Sequence, residues 1–576
     1  MSKNSLSDAE GEADVSAFSE NEIIFFRHVA HRDFHSTKRQ ILQRGNEVFL
    51  QPNENLLNEV VLSVSKFPQQ KRELAQKVVS FDQQDIFAAS PQTSADLLQK
   101  TGQVYVQKSQ LGGGSPMIRG FATNRLLITV DGVRMNSAIF RSGNLQNVIS
   151  IDPLAVEDVE VLFGPGSVIY GSDAIGGVMN FYTLSPQFSS EEVSLWSGSA
   201  YTRYATANEE KTAHVDLNYG RQKWAFLSSF SFSDFGDLEM GSHGPEEYLR
   251  PEYVVRRDGQ DVVVENPDPK VQVPTGYEQY NFLQKIRFQP SADWDLNLGL
   301  TYTTTSDFPR YDRLYRKKGG QLRAAKWYYG PQEWLQANFR IEKAGNGRLY
   351  DDARFIAAYQ KFRESRNDRD FGAEILFETR EEVDAWSANL DFEKGFFGSK
   401  LFYGLEYVLN NVNSTGAETN IITGEVAPGG SRYPNASSWQ SMAAYASWKW
   451  QLRPDLHLQA GARYSHILLD ATFDPEVYDF PFEDANLNTG AFTGSAGLRW
   501  QQNDIFGWRF NLSSAFRAPN IDDVGKIFDS EPGAVVVPNP DLKPETAYNA
   551  ELGSRMDLGR LQLDLSAYYT YLSDAL

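Results

Sequence analysis

Trp294-Asp295-Leu296-Asn297-Leu298-Gly299-Leu300-Thr301-Tyr302 places an apolar side chain at every second position, with a polar residue or glycine between. Side chains of a strand alternate between faces, so this stretch has one apolar and one polar face. The same rhythm returns at 334–342, 386–392, 456–464, 492–500, 508–512, 550–558 and 561–571. The segments run about nine to eleven residues, enough to cross a bilayer when tilted. Trp, Phe and Tyr gather at their ends, where interfacial girdles lie. A soluble β-sandwich or propeller also alternates, but its strands are usually about five or six residues long. The pattern therefore predicts a mainly β chain with a large antiparallel transmembrane β-barrel. In lipid every backbone N–H and C=O must be paired, which requires such a sheet to close.

Composition agrees. Gly occurs 44 times and aromatics make up 13% of the 576 residues, which suits strands joined by turns. No run of about 18 apolar residues offers a transmembrane helix, which says nothing against strands that are apolar only on alternate residues. Cysteine is absent, a weak sign of an envelope protein. The net charge of −20 argues against nucleic-acid binding, which needs clustered Lys and Arg.

Before the barrel-like region, residues 67–187 have a different texture. Short aliphatic strands such as Leu126-Leu127-Ile128-Thr129-Val130 and Val159-Glu160-Val161-Leu162 mix with helix-like Ser94-Ala95-Asp96-Leu97-Leu98 and frequent glycines. That predicts a compact, turn-rich α+β domain of a size to fill a wide barrel.

Three ordered stretches in this domain carry a family resemblance. Gly114-Ser115-Pro116-Met117-Ile118-Arg119-Gly120-Phe121, Leu127-Ile128-Thr129-Val130-Asp131-Gly132-Val133-Arg134 and 159–180, which contains Glu160, Gly164, Gly166, Gly171, Gly176 and Gly177, resemble the plug motifs of TonB-dependent outer-membrane receptors. With 140–153, the wording is most similar to the haemoglobin, haem and transferrin receptor branch. The resemblance implies a barrel of the 22-stranded type, plugged by the α+β domain, whose plug charges pair with the barrel wall and shift during transport. Arg119 and Glu160 are the candidates for such pairing, with ordinary plug stability as the alternative for each. Asn58-Glu59-Val60-Val61-Leu62-Ser63, just before the plug, resembles a TonB box. Its physical role would be strand addition to the periplasmic TonB protein of the TonB–ExbB–ExbD complex.

Phe516-Arg517-Ala518-Pro519 and Asn539-Pro540-Asp541-Leu542-Lys543-Pro544-Glu545 resemble the boxes that flank an extracellular loop in haem receptors. There a His between the boxes ligates iron. Here 520–538 contains no His, nor does the plug, so a His ligand in that place is unsupported. A Tyr could serve instead, and none is singled out; His243, in a loop-like stretch, is a weak candidate. Gly166-Ser167-Val168-Ile169-Tyr170-Gly171-Ser172 has phosphate-loop spacing but places Ser where that loop requires Lys, so a nucleotide site is rejected.

Residues 1–55 look like the latter half of a carboxypeptidase-regulatory-like β-sandwich, as in Bacteroidetes-type receptors. His28, His31 and His35 invite a zinc reading, but His28 and His31 would point to opposite strand faces and no Cys accompanies them, so no metal site is expected. The domain order expected is 1–55 partial sandwich, 56–66 TonB-box segment, 67–187 plug and 188–576 barrel. Met1 is followed by Ser2-Lys3-Asn4-Ser5 with no apolar h-region, so no secretory signal is read there, and the region after the plug holds roughly 16 strands against the family's 22. The chain therefore reads as a fragment lacking C-terminal strands, which would not insert stably on its own. The functional expectation is import of a scarce ligand, haem or an iron chelate, with a siderophore, cobalamin or glycan, or a binding barrel without import, as alternatives. No cofactor is built in, and the partners are the TonB complex, outer-membrane lipid and lipopolysaccharide, and the extracellular ligand. No catalytic constellation is present.

Overall fold

The computed structural model describes residues 13–28, 31–43, 48, 60–108, 110–141, 147–190, 192–474, 482–503, 505–526, 528–531, 534–536, 539, 542–559 and 561–576. They form two compact units, Met1–Val61 with Pro68–Glu73, and Leu62–Phe67 with Leu74–Leu576.

In the smaller unit, Ile23–His28 pairs antiparallel with His31–Thr37 and is followed by the helix Lys38–Gln43. Val60–Val61 pairs with Gln69–Gln70. Among the described residues of 1–55 there are that first hairpin and that helix; 1–12 and most of 44–55, which the expected half-sandwich includes, lie outside the described residues.

The larger unit contains the α+β domain and the wall. The domain's five-stranded sheet runs in the order Val133–Arg134, Leu126–Val130, Gly177–Thr183, Val156–Phe163, Val78–Asp82. Only Gly177–Thr183 and Leu126–Val130 are parallel. The helices Gln83–Ala89 and Ser94–Lys100 each open on a capping box, at Asp82/Asp85 and Thr93/Asp96. Ala95, Leu97 and Leu98 of the second are fully buried, as their helical spacing requires.

The wall is one 18-stranded antiparallel sheet, and all but three short members span eleven residues or more. Its burial is inverted relative to a soluble sandwich. Leu298, Leu405, Phe492, Leu552 and Tyr569 face outward and stand 50–72% exposed, whereas Thr303, Gln336, Ser465 and Thr493 on the opposite face are at most 1% exposed. An apolar face left bare while the polar face is buried suits lipid outside and a plug inside. Cross-strand aromatic pairs such as Tyr359–Trp386 and Trp224–Phe288 add girdle contacts, with ring centroids 4.5 and 4.1 Å apart. Gln562–Ser573 pairs with 546–557 along its whole length.

Above the wall, the hairpin Glu252–Arg257 and Gln260–Glu265 is tied down through Asp261. Its carboxylate accepts from Arg369 Nη1 and Nη2 at 2.6 and 2.7 Å and from Gly372 N at 2.8 Å.

Leu405→Arg is expected to destabilise the folded wall by about 2–4 kcal/mol in urea titrations in bilayers. The same change on a water-facing site falls within about 0.5 kcal/mol, and a cost that small would remove the lipid-facing assignment. The hydrogen bonds from Arg369 hold Asp261 down at about 2. The hairpin anchor is therefore complete above the ordinary Asp value of about 3.9 and is lost only as pH falls through about 2. Pepsin should leave 252–265 intact at pH 4 and cut it at pH 2; cutting already at pH 4 contradicts the anchor.

Candidate functional site: the seam between plug and wall

The TonB-box-like segment is the first part of the seam. Asn58 and Glu59 lie outside the described residues. Val61 and Ser63 are fully buried, and Val60 is exposed. The backbone N–H groups of Leu62 and Ser63 donate to the Glu160 carboxylate at 2.8 and 2.7 Å. Glu160 sits mid-strand and is itself buried, so the motif glutamate holds the segment to the domain's sheet. The chain then turns through Lys66, which adopts a left-handed conformation (φ 65°). Lys66 Nζ lies 3.2 Å from Asp391 and 3.9 Å from Glu406, both on the wall. Its carbonyl accepts from Arg354, and Phe67 stacks on Phe402.

The motif residues meet the wall at two other places. Arg119, with Gly120, forms a tight turn at positive φ, 54° and 86°. It makes a bidentate pair with Glu551 at 2.7 and 2.9 Å, its guanidinium 4.2 Å from the Tyr568 ring centre. Arg125 does the same with Glu545, at 2.7 Å for both bonds. On another side Asp131, followed by Gly132 at φ 81°, accepts from Thr183 N and Oγ1 and lies 3.0 Å from Lys285. Burial pushes the Asp131 carboxyl up, but the Lys285 ammonium and the Thr183 donors outweigh this and hold it below the usual range.

The remaining glycines allow close packing. Gly164 has φ 82° beside Arg119. A Cβ on Gly166, Gly176 or Gly177 would stand 2.7 Å from Val178, 2.5 Å from Phe121 or 2.5 Å from the Leu162 carbonyl oxygen. At Gly171 it would stand 2.7 Å from Arg463 Nη2. Gly166 to Ser172 thus encloses the four-residue turn Ser167–Tyr170, pressed against the wall.

The first extracellular box packs on this turn. Phe516 N donates to Ser167 Oγ, Asp173 N to the Phe516 carbonyl, and Ala518 N to Ser172 Oγ at 2.9 Å. Arg517 pairs with Asp523, and the Pro519 carbonyl accepts from Trp439 Nε1. In the second box, Asn539 is exposed, Leu542 packs on the core, and Pro540 and Asp541 lie outside the described residues. Among the described residues no group of three or more His, Asp or Glu side chains is placed to hold a metal ion.

The sequence did not single out Lys66, Lys285, Asp391, Glu406, Arg463 or Glu551. For the five on the wall the one signal is a charge on the polar phase of an alternating strand, as in Ala550-Glu551-Leu552, which many solvated charges share; Lys66, on a turn, has not even that.

Two family models match, "TonB-dependent Receptor Plug Domain" over 70–178 and "TonB dependent receptor-like, beta-barrel" over 309–576. A curated relative, the vitamin B12 transporter BtuB of Vibrio vulnificus (strain CMCP6), is 25% identical over 525 residues, 88% of this chain and 69% of the relative. A vitamin B12 transporter of Photobacterium profundum is 23% identical over 64% of this chain and 52% of its own. Among solved structures, the copper transporter OprC has a TM-score of 0.67 at 15% identity, covering 86% of this chain and 71% of its own. The Serratia marcescens hemophore receptor HasR has 0.65 at 16%, covering 87% of this chain and 73% of its own. At such identities these structures speak for the fold alone.

The curated relatives, vitamin B12 transporters of Vibrio and Photobacterium, overturn the placement in the haem branch and among Bacteroidetes-type receptors. The plug wording that suggested that branch is spent on wall contacts, Arg119 with Glu551 and Ser172 with Ala518, and so carries no ligand information.

Removing one partner of a buried ion pair strands the other, at a cost of about 3–5 kcal/mol. Arg119→Ala and Glu551→Ala should each destabilise the plug by that amount in urea unfolding, and the double variant by clearly less than their sum. Strict additivity would show the pair to be uncoupled.

Proposed function

We propose that this chain, which belongs to the TonB-dependent outer-membrane receptors by its plug and barrel, imports a corrinoid of the vitamin B12 class. It is a transport receptor and not an enzyme, lies in the outer membrane with its plug toward the periplasm, and works with the TonB–ExbB–ExbD complex and an extracellular ligand. The cargo assignment is carried by one observation: the 25% identity to a vitamin B12 transporter extends over 88% of the chain. Haem and iron rested on branch resemblance alone and are not favoured.

In this reading the ligand is bound on the extracellular side, above the plug and the Phe516–Pro519 box. Residues 58–63 are handed to TonB as an added strand. Traction then withdraws Leu62 and Ser63 from Glu160, and Lys66 from Asp391, which loosens the plug. No bond of the cargo is made or broken.

The test is uptake of radiolabelled cyanocobalamin by cells in which this chain is the sole receptor. Energy-dependent uptake is expected, abolished by deleting 58–63 while surface binding persists. Haem uptake without cyanocobalamin uptake would overturn the cargo, and uptake indifferent to the deletion would overturn the role of the segment.

A further inference from the structure

A row of four hydrogen-bonding groups runs from the plug into two strands of the wall. Asp152 caps the plug turn Pro153–Ala155, its Oδ1 accepting from Leu154 N at 3.0 Å. Its Oδ2 lies 2.6 Å from Ser231 Oγ on the strand Trp224–Phe235. Ser231 Oγ also lies 2.6 Å from His214 Nδ1 on the adjacent strand Glu210–Gly220. Nε2 of His214 is buried, makes no hydrogen bond among the described residues, and faces Asp216 Oδ2 at 3.4 Å. Asp216 in turn accepts from Ser199. His214 and Ser231 are 4% and 1% exposed, so bulk water does not complete the row. The other ionisable groups beside His214 are Tyr201, opposite it on the strand Leu195–Ala205 with its hydroxyl on Ser90, and Arg203 with Glu210, which pair with each other at 2.8 Å. On the plug side the group is Asp152.

The donors in this row can be counted. Ser231 has one proton to give and two short contacts to fill, while a carboxylate and an unprotonated ring nitrogen only accept. Either Asp152 or His214 Nδ1 must supply the second proton. If Nδ1 supplies it on a neutral ring, Nε2 turns a bare lone pair toward the Asp216 carboxylate, which repels it. Every contact is attractive only when the row carries one proton more, as the imidazolium of His214 or as the acid form of Asp152. The two forms interconvert when Ser231 passes its proton to Asp152 and takes the one on Nδ1. Burial pushes the Asp152 carboxyl up, against the Ser231 donor and the His214 charge, which favours keeping that proton.

We propose that Asp152, Ser231, His214 and Asp216 form a proton-binding site between plug and wall, and that the bound proton holds the 149–155 segment in place. When the segment leaves, Asp152 meets water and ionises, and the row no longer keeps the extra proton. The docked state therefore binds one proton more than the undocked state. Docking is then strongest at low pH and weakens as pH rises through the value at which the docked row deprotonates. A cavity of about 10 Å³, room for about one water, is lined by Asp152, Gln92, Arg203 and Gln279 and gives the proton a way out. The site holds whatever the cargo is.

The test is hydrogen exchange of the 149–155 amides in the full chain in bilayers, from pH 6 to pH 9, with the intrinsic pH dependence of exchange divided out. In the parent the opening constant should rise about tenfold over that range, as the loss of one proton requires. Asp152→Asn gives Ser231 a donor at every pH, as the acid form does. Its opening constant should therefore stay flat, close to the parent's value at pH 6. A merely structural contact would leave the same pH dependence in both. A flat parent, or an Asp152→Asn that keeps the parent's rise, overturns the proposal. If Asp152→Asn loses heat-modifiable migration, His214→Gln, which cannot titrate, takes its place: abolition of the rise is expected, and its survival overturns the site. No cargo is added, so failure of the cyanocobalamin assignment leaves this result intact.

Discussion

Buried charge matched across the seam is the constraint on which the molecule depends. A wall with apolar side chains toward lipid must turn its polar phase inward, and those groups are then sealed from water by the plug. Each must find a partner there, because an unpaired buried charge costs several kcal/mol. Glu545 and Glu551 find Arg125 and Arg119, Lys285 finds Asp131, and Asp391 finds Lys66. Charge-assisted bonds thus join the plug to the wall beside apolar contacts such as Val133 with Ile356 and Ala358. Charged contacts of definite geometry also fix one register, whereas a greasy interface would tolerate sliding.

The local features of this arrangement were legible in the sequence. Alternation in 294–302 gave strand and face together, because side-chain direction on a strand is set by parity alone. The helix at Ser94 was visible from its spacing, and the wall–plug order from the motifs. The partnerships were not legible. Arg119 and Glu551, or Lys66 and Asp391, are hundreds of residues apart, and nothing local marks one wall carboxylate as paired and the next as solvated.

The branch was misread for a related reason. Residues common to a family's plug are those that meet the wall, and the wall poses the same electrostatic problem whatever passes through it. Ser167, Ser172 and Gly171 are held by contacts to Phe516, Ala518 and Arg463, so their spelling reports packing.

The position of Val78–Asp82 has a mechanical consequence. It is the outermost strand of the plug's five-stranded sheet, paired within that sheet with Val156–Phe163, and it is the first strand of that sheet reached from Leu62–Phe67 along the chain. Load entering from that end meets the margin of this sheet and not its interior. Rungs at a margin can part in succession, each carrying the load alone, so the peak force stays far below that of shearing all of them at once. The sheet can thus fray from one side while its parallel centre, Gly177–Thr183 on Leu126–Val130, keeps its shape as the template on which the margin re-forms.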